Sequence, residues 1–468
     1  MRFLNLDQTD RNRIAVITDD REKISYGELT SLFTELYKKI NHRCLVFCLC
    51  ENHIESLYGY LGFLSNRIVP LMLDSTLDKE LLDALIINYK PEYLWMPKIR
   101  QNEFPDAELI HAEKHYCLIK PHRNLYYELH PDLALLLTTS GSTGSPKLVR
   151  ISCRNIHANA ISISEYLGIS DQDRPVTTLP MSYSFGLSII NSHLLKGATL
   201  LLTSRTLMQK EFWNMVKEEK ATTMSGVPYT YEMLKKLRFF NMSLPSLKIL
   251  TQAGGKLNND LVKEFAEHAK KSSRLFFVMY GQTEATARMS YLPPENTIRK
   301  LGSMGIAIPG GEFSIIDDKG FPINEPDTIG ELVYKGDNVT MGYAENGPDL
   351  EKGDENNGIL YTGDLAKRDI DNFYYIVGRK KRFIKIFGNR VNLDETERLL
   401  KNIVTDCACV GTDDHLLVYV SDHSTKPLIE SYLTDKLGLN HIAYKIRHID
   451  KIPKNTSGKT IYVNLKSE

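Results

Sequence analysis

The stretch "LLLTTSGSTGSPKLV", Leu135 to Val149, sets the end of an apolar run against a loop of hydroxyls and glycines that closes on a lysine. The run "LALLL" reads as one buried strand. After it, Thr138, Thr139, Ser140, Ser142 and Thr143 offer hydroxyls, while Gly141 and Gly144 let backbone N–H groups approach an anion. A nucleotide-binding P-loop needs Gly-x-x-x-x-Gly-Lys-Ser/Thr, and Pro146 occupies the glycine position before Lys147, so that motif is excluded. What stands is a phosphate-suited loop following a strand.

Outward from this loop the same alternation continues. "RCLVFCLC", "RIVPLML", "YLWMP", "ATLLLT", "ATTMSGVP", "LKILTQAGG" and "RLFFVMYGQTE" read as strands, with "HIESLYGYLGFL", "KELLDALIINY" and "NNDLVKEFAEHAKK" as helices between them. That pattern predicts an α/β fold with largely parallel sheets. From about Gly302 the texture shifts to strands punctuated by Gly, Asp and Asn turns, "GEFSIIDDKGFPI", "GELVYKG" and "NFYYIVGRKKRFIKIFG". Beyond "GRKKRF" a helix–strand mixture indicates a small α+β unit. The expected organisation is a large N-terminal region, residues 1–378, of two α/β subdomains plus a β-rich one, a hinge at 379–382, and a mobile C-terminal domain at 383–468.

With 468 residues the chain exceeds what one core usually serves. Lys+Arg and Asp+Glu both total 58, so no net field draws it to nucleic acid or an anionic membrane. The first residues lack the pattern of a secretory signal, and no apolar run approaches the roughly 18 residues of a span. A cytoplasmic location without membrane insertion is expected. The seven cysteines, including Cys44, Cys48 and Cys50 in "CLVFCLC" and Cys407 and Cys409 in "CACV", read as buried free thiols.

Eight segments in order carry a resemblance: "SYGELT", "VPLMLDSTLDKELL", the opening loop, "LPMSYSFGL", "TQAGGKL", "YGQTEA", "YTGDLAKRD" through "GRKKRFIKIFGNRV", and "PKNTSGK". Together they resemble the adenylate-forming superfamily of acyl-CoA synthetases, carrier-protein ligases and adenylation domains, across nearly the whole chain. The resemblance implies that a carboxylate attacks the α-phosphorus of ATP, giving acyl-AMP and pyrophosphate, and that a phosphopantetheine thiol then displaces AMP. Hydroxyl and N–H donors, Mg²⁺ and a mobile cation suit the charge that develops on phosphate oxygens.

The residue roles follow from the resemblance. Thr139, Ser140, Gly141, Ser142, Thr143, Gly144 and Lys147 are expected around the phosphates of ATP, with Tyr280 stacked on the adenine and Gly281 beside it. Thr283 would hydrogen-bond phosphate, and Glu284 would hold Mg²⁺, a hard cation that takes oxygen ligands. Asp364 would accept from both ribose hydroxyls, assisted by Arg379. Ala253, Gly254 and Gly255 would line the adenine and acyl pocket, Gly281 would border the acyl group as well, and Tyr183 would gate the carboxylate site. Lys381 is the expected hinge residue, and Lys459 the cation that enters during adenylation to bridge carboxylate and α-phosphate.

Two positions depart from the usual pattern: Leu148 stands where most members have Gly, and Tyr462 where an Arg often follows the last motif. The Asp by which amino-acid-activating members hold the substrate ammonium is missing from "PMSYSFGL". A fatty, aromatic or hydroxy acid is therefore expected, with CoA or a pantetheinylated acyl carrier protein as acceptor. Arg288 reads equally as a contact for an anionic substrate or as a local turn cap. The competing reading of another class is a non-catalytic adenylate-binding scaffold.

Overall fold

The computed structural model describes residues 3–121, 126–138, 147–380, 382–386, 389–412, 414–435, 439–454 and 460–465. Two large sheets dominate. In the first, eight-stranded sheet, Leu45–Cys50, Val69–Asp74, Tyr93–Pro97 and Leu133–Thr138 run parallel, flanked by antiparallel strands. In the second, nine-stranded sheet, Ile14–Ile17, Leu200–Leu201, Pro175–Val176, Thr223–Gly226, Ile249–Gln252 and Leu275–Tyr280 are parallel neighbours in that order. Strands buried on both faces read as continuous apolar runs, as "LVFCLC" and "LALLL" do.

The helices are set by their caps. Ser25 and Glu28 form a capping box at the head of Tyr26–Ile40, which explains the residue choice in "SYGELT". Asp78 caps Lys79–Tyr89 by accepting from the Glu80 and Leu81 amides. The largest core draws on both sheets at once: Val16 and Leu200 from one and Val46, Met72 and Leu135 from the other pack with Phe33, Leu57, Tyr60, Ile190 and Leu194 of the intervening helices. The site-bearing ends of the two sheets are thereby held in one rigid frame.

A four-stranded antiparallel sheet follows, ordered Gly311–Ile316, Gly330–Gly336, Ile359–Arg368, Tyr374–Arg379. Beyond it, Phe383–Ile386 pairs with Asn389–Asn392, and Cys407–Thr412, His415–Val420 and Tyr444–His448 form a three-stranded sheet. Helices Leu393–Leu400 and Lys426–Asp435 share with them a separate core around Ile384, Leu400, Cys409, Val418 and Ile429. All seven cysteines are free, and all but Cys153 are buried. Cys44 does lie with His42 and Glu92 in a group whose ligand atoms are within 4.8 Å of one another, but Glu92 already ion-pairs Lys120 at 3.0 Å.

The departures have local explanations. Leu148 is fully buried on the Leu148–Ser152 strand opposite Thr138, a place where an apolar side chain fills the core. The Tyr462 ring lies 3.5 Å from the Arg382 guanidinium, and its hydroxyl donates to Glu397 at 3.1 Å.

Candidate active site

The loop "GQTEATAR" leaves the Leu275–Tyr280 strand and returns antiparallel as Ser290–Leu292, with Tyr280 opposite Ser290. Gly281 is required by this crossing: a Cβ there would sit 1.7 Å from the Ala287 carbonyl oxygen. The turn is closed by Thr286 at φ 62° and Ala287 at φ 148°, the second a conformation that L-residues rarely adopt. Strain of this kind, on the order of 1–3 kcal/mol, persists only where surrounding contacts impose it. Here Asn338 and Asn159 donate to the Arg288 carbonyl, and Thr286 Oγ1 donates to the carbonyl of Asn338.

Asp364 is 5% exposed in the middle of Ile359–Arg368, directly after Gly363 at φ +68°. Tyr280 donates its hydroxyl to Asp364 Oδ2 at 2.5 Å, and Gln282 Nε2 donates to the same oxygen at 2.8 Å. Arg379, its cross-strand neighbour, places Nε 3.5 Å from Oδ1. Burial, then the Asp364 charge, holds the Tyr280 hydroxyl well above its ordinary pKa, so it stays a donor. Gln282 was not foreseen as a site residue, although it sits inside "YGQTEA"; its amide also reaches the Thr362 carbonyl at 3.1 Å.

Glu284 has its carbonyl fixed by the amide and hydroxyl of Thr340, at 3.0 and 2.9 Å. Its carboxylate accepts from the Tyr343 hydroxyl at 2.7 Å. Burial and then the Glu284 charge raise the pKa of that tyrosine. Lys147 reaches the same corner: it ion-pairs Glu345 and lies 5.7 Å from the Tyr343 ring centroid. Nothing in the sequence marks Tyr343; the pairing of Tyr343–Ala344 with Leu148–Ser152 carries it there.

Thr283 Oγ1 lies 3.1 Å from Ser184 Oγ at the start of helix Ser184–Leu195. The two line a cleft of about 30 Å³ together with Tyr183, Phe185, Ala253, Gly254, Gly281 and Arg288, among others. Gly254, at φ +82°, is needed twice over, because a Cβ would meet the Tyr183 hydroxyl at 2.7 Å. Gln252 bonds the carbonyls of Ala253 and Gly255, at 3.2 and 2.8 Å, and so fixes the turn. Burial pushes the Tyr183 hydroxyl up to about 12.

The structure thus brings Tyr280, Asp364 and Arg379 together at one end and Tyr183, Ala253, Gly254, Gly281 and Thr283 at the other, with Glu284 and Lys147 alongside. Gly255 borders the same turn, its hypothetical Cβ 3.2 Å from Pro228 Cγ. Thr139, Ser140, Gly141, Ser142, Thr143, Gly144, Lys381 and Lys459 lie outside the described residues. In the basic segment, Lys380 and Arg382 are paired with Glu331 and Asp394, each at 2.7 Å, which reduces the free positive charge there.

The sequence pattern of the AMP-binding enzyme family matches residues 5–344. The chain is 25% identical to a 2-succinylbenzoate–CoA ligase of Oceanobacillus iheyensis, covering 96% of this chain and 95% of that one. It is 28% identical to the 2-succinylbenzoate–CoA ligase of Bacillus subtilis over 71% of this chain and 68% of the relative. Its fold matches that of the B. subtilis o-succinylbenzoate coenzyme A synthetase in complex with AMP, with a TM-score of 0.82, 23% identity and coverage of 100% and 98% of the two chains.

Proposed function

The chain belongs to the AMP-binding enzyme family and is an ATP- and Mg²⁺-using acid–thiol ligase, and on that premise we propose that it converts an aromatic acid of the 2-succinylbenzoate type to its CoA thioester. The observation that carries the reading is the convergence of Tyr280, Gln282 and Arg379 on the buried Asp364 carboxylate, one loop away from the cleft at Thr283. Full-length similarity to CoA ligases favours CoA over a carrier protein as acceptor.

In this reading Asp364 binds the ribose, exchanging its Tyr280 and Gln282 hydrogen bonds for, or adding to them, bonds from the sugar hydroxyls. Tyr280 supplies the flat face beside the base. Glu284 offers a carboxylate oxygen, held in place by Tyr343, that fits a hard cation, and Mg²⁺ there would neutralise phosphate charge. Thr283 donates to a phosphate oxygen from a position fixed by Ser184. Tyr183, protonated throughout the neutral range, closes the acyl side and excludes water.

Residues 139–144 and Lys147 take the phosphates, and Lys459 bridges the two reacting groups. Residues 1–378 and 383–468 act as separate bodies about Lys381, and the protein works in the cytoplasm; among the described residues no helix is long and apolar enough to cross a membrane.

The test is pyrophosphate release with a panel of carboxylic acids, followed by mass analysis of the thioester. The expected product is an aryl-acid CoA thioester. Thioester formed only on a pantetheinylated carrier protein would overturn the CoA assignment, and strict preference for long-chain fatty acids would overturn the aromatic one.

A further inference from the structure

Arg288 is 2% exposed, and among the described residues no carboxylate lies within ion-pairing range of it. Its neighbours are all neutral: Nε donates to Ser188 Oγ and Nη1 to the Tyr166 hydroxyl, both at 3.1 Å, and the Met279 sulfur lies 3.6 Å from Nη1. The guanidinium sits 5.0 Å from the Phe185 ring centroid. No described acceptor takes the Nη2 hydrogens. A buried cation without a counter-ion is costly, and an apolar side chain would fill the same space without that cost. Phe185 and neutral hydroxyls offset only part of it.

The arginine also lines the cleft beside Thr283 and Gly281. Its place is set by the strained Thr286–Ala287 turn and by two asparagines that grip its own carbonyl. Thus the loop that carries Tyr280, Thr283 and Glu284 comes back past Gly281 to deliver one uncompensated cation to the acyl side.

Resting on the acid-ligase reading above, we propose that Arg288 binds a second carboxylate of the substrate, separate from the one that is activated, and so selects diacids over monoacids. A planar guanidinium with free Nη2 hydrogens matches a carboxylate through parallel charge-assisted hydrogen bonds. The incoming anion supplies the missing counter-charge, so a monoacid of the same shape leaves the cation buried and unpaired. Discrimination by an unpaired buried polar group is larger than discrimination by fit alone.

The experiment measures pyrophosphate release by the full chain with three matched pairs that differ by one carboxylate: 2-succinylbenzoate and 4-oxo-4-phenylbutanoate, phthalate and benzoate, glutarate and butanoate. The wild type is expected to favour the diacid at least tenfold in kcat/KM in the pair it uses best. Arg288→Gln is expected to abolish that preference, mainly by raising the KM of the diacid about tenfold or more, with Arg288→Lys retaining part of it. A wild-type preference for the monoacid, or an unchanged ratio in a folded Arg288→Gln, overturns the proposal. If no acid releases pyrophosphate, the acid-ligase reading fails instead, and binding still decides the arginine's role. In that case the diacid should raise the unfolding temperature of the wild type and of Arg288→Lys but not of Arg288→Gln; equal shifts in all three overturn it.

Discussion

The hydroxyl of Tyr280, at the end of one sheet, donates over 2.5 Å to a carboxylate oxygen of Asp364, in the middle of another. Removing either partner separates what the pair does for the fold from what it does for ATP. Asp364→Ala should weaken ATP binding at least tenfold, since charge-assisted bonds are worth roughly 1.5–3 kcal/mol each. Tyr280→Phe keeps the ring and should cost only a few-fold. Unchanged ATP affinity in a folded Asp364→Ala protein would remove that residue from the site; calorimetric titration with ATP measures both.

Gly281 should tolerate no side chain. An alanine Cβ would lie 1.7 Å from a backbone oxygen, so Gly281→Ala must displace the returning loop. The expected costs are about 1–3 kcal/mol of stability and at least a tenfold loss of pyrophosphate release. Gly168→Ala is the control: its φ is +63° but nothing stands within 4 Å of the added Cβ, so only stability should fall, by about 1 kcal/mol. Equal activity losses in the two variants would show that the crossing at Gly281 is not what matters.

Lys459 and Lys381 should divide the two half-reactions. Lys459→Ala should slow acyl-adenylate formation about 100-fold, the scale for loss of one positioned charge stabiliser, while thioester formation from synthetic acyl-AMP stays near wild type. Lys381→Pro fixes φ near −65° and should do the converse. Pyrophosphate release and thiol consumption read the two steps; equal depression of both by Lys459→Ala would argue against a domain rotation.

His193 gives a pH dependence of stability. It is 1% exposed, Nδ1 is hydrogen-bonded to the Ile189 carbonyl at 2.8 Å, and burial lowers its pKa to about 4. The unfolded chain takes up a proton at about 6.5, while the folded chain resists until about 4. Stability from the neutral imidazole is therefore complete above about pH 6.5 and is lost as pH falls toward 4, by at most about 1.4 kcal/mol per pH unit. His193→Gln should flatten that slope. Denaturant unfolding at pH 7.5 and 5 gives the comparison, and identical slopes in the two proteins would show that another group is responsible.

Much of the architecture was legible because buried parallel strands are apolar on both faces, and the helices Lys79–Tyr89 and Asn259–Lys271 carry their own caps. The strand Ile14–Ile17 was not. It pairs with Lys23–Ser25 on one side and with Leu200–Leu201, nearly two hundred residues away, on the other, and its four residues are too few to announce a strand. The site divides in the same way. Tyr280, Thr283, Glu284 and Asp364 stand in short contiguous motifs. Tyr343 reaches the site only through strand pairing, which leaves no local signature, whereas Ser184 stands inside "LPMSYSFGL" and gains its role from the helix start there. Arg288 shows the limit most clearly, since its identity was visible but the lack of an acidic neighbour among the described residues is a property of three-dimensional packing.

The close crossing of Gly281 beneath Ala287 makes the nucleotide side and the acid side two ends of one short hairpin. A ligand that settles either end reduces the freedom left to the other, so the free-energy cost of ordering is met once and shared. ATP and the acid should then bind with positive cooperativity, each raising the affinity of the other by the same factor, as reciprocity requires. With a non-hydrolysable ATP analogue, the dissociation constant of the acid should fall several-fold relative to its value in the free protein, and the analogue should gain equally from the acid.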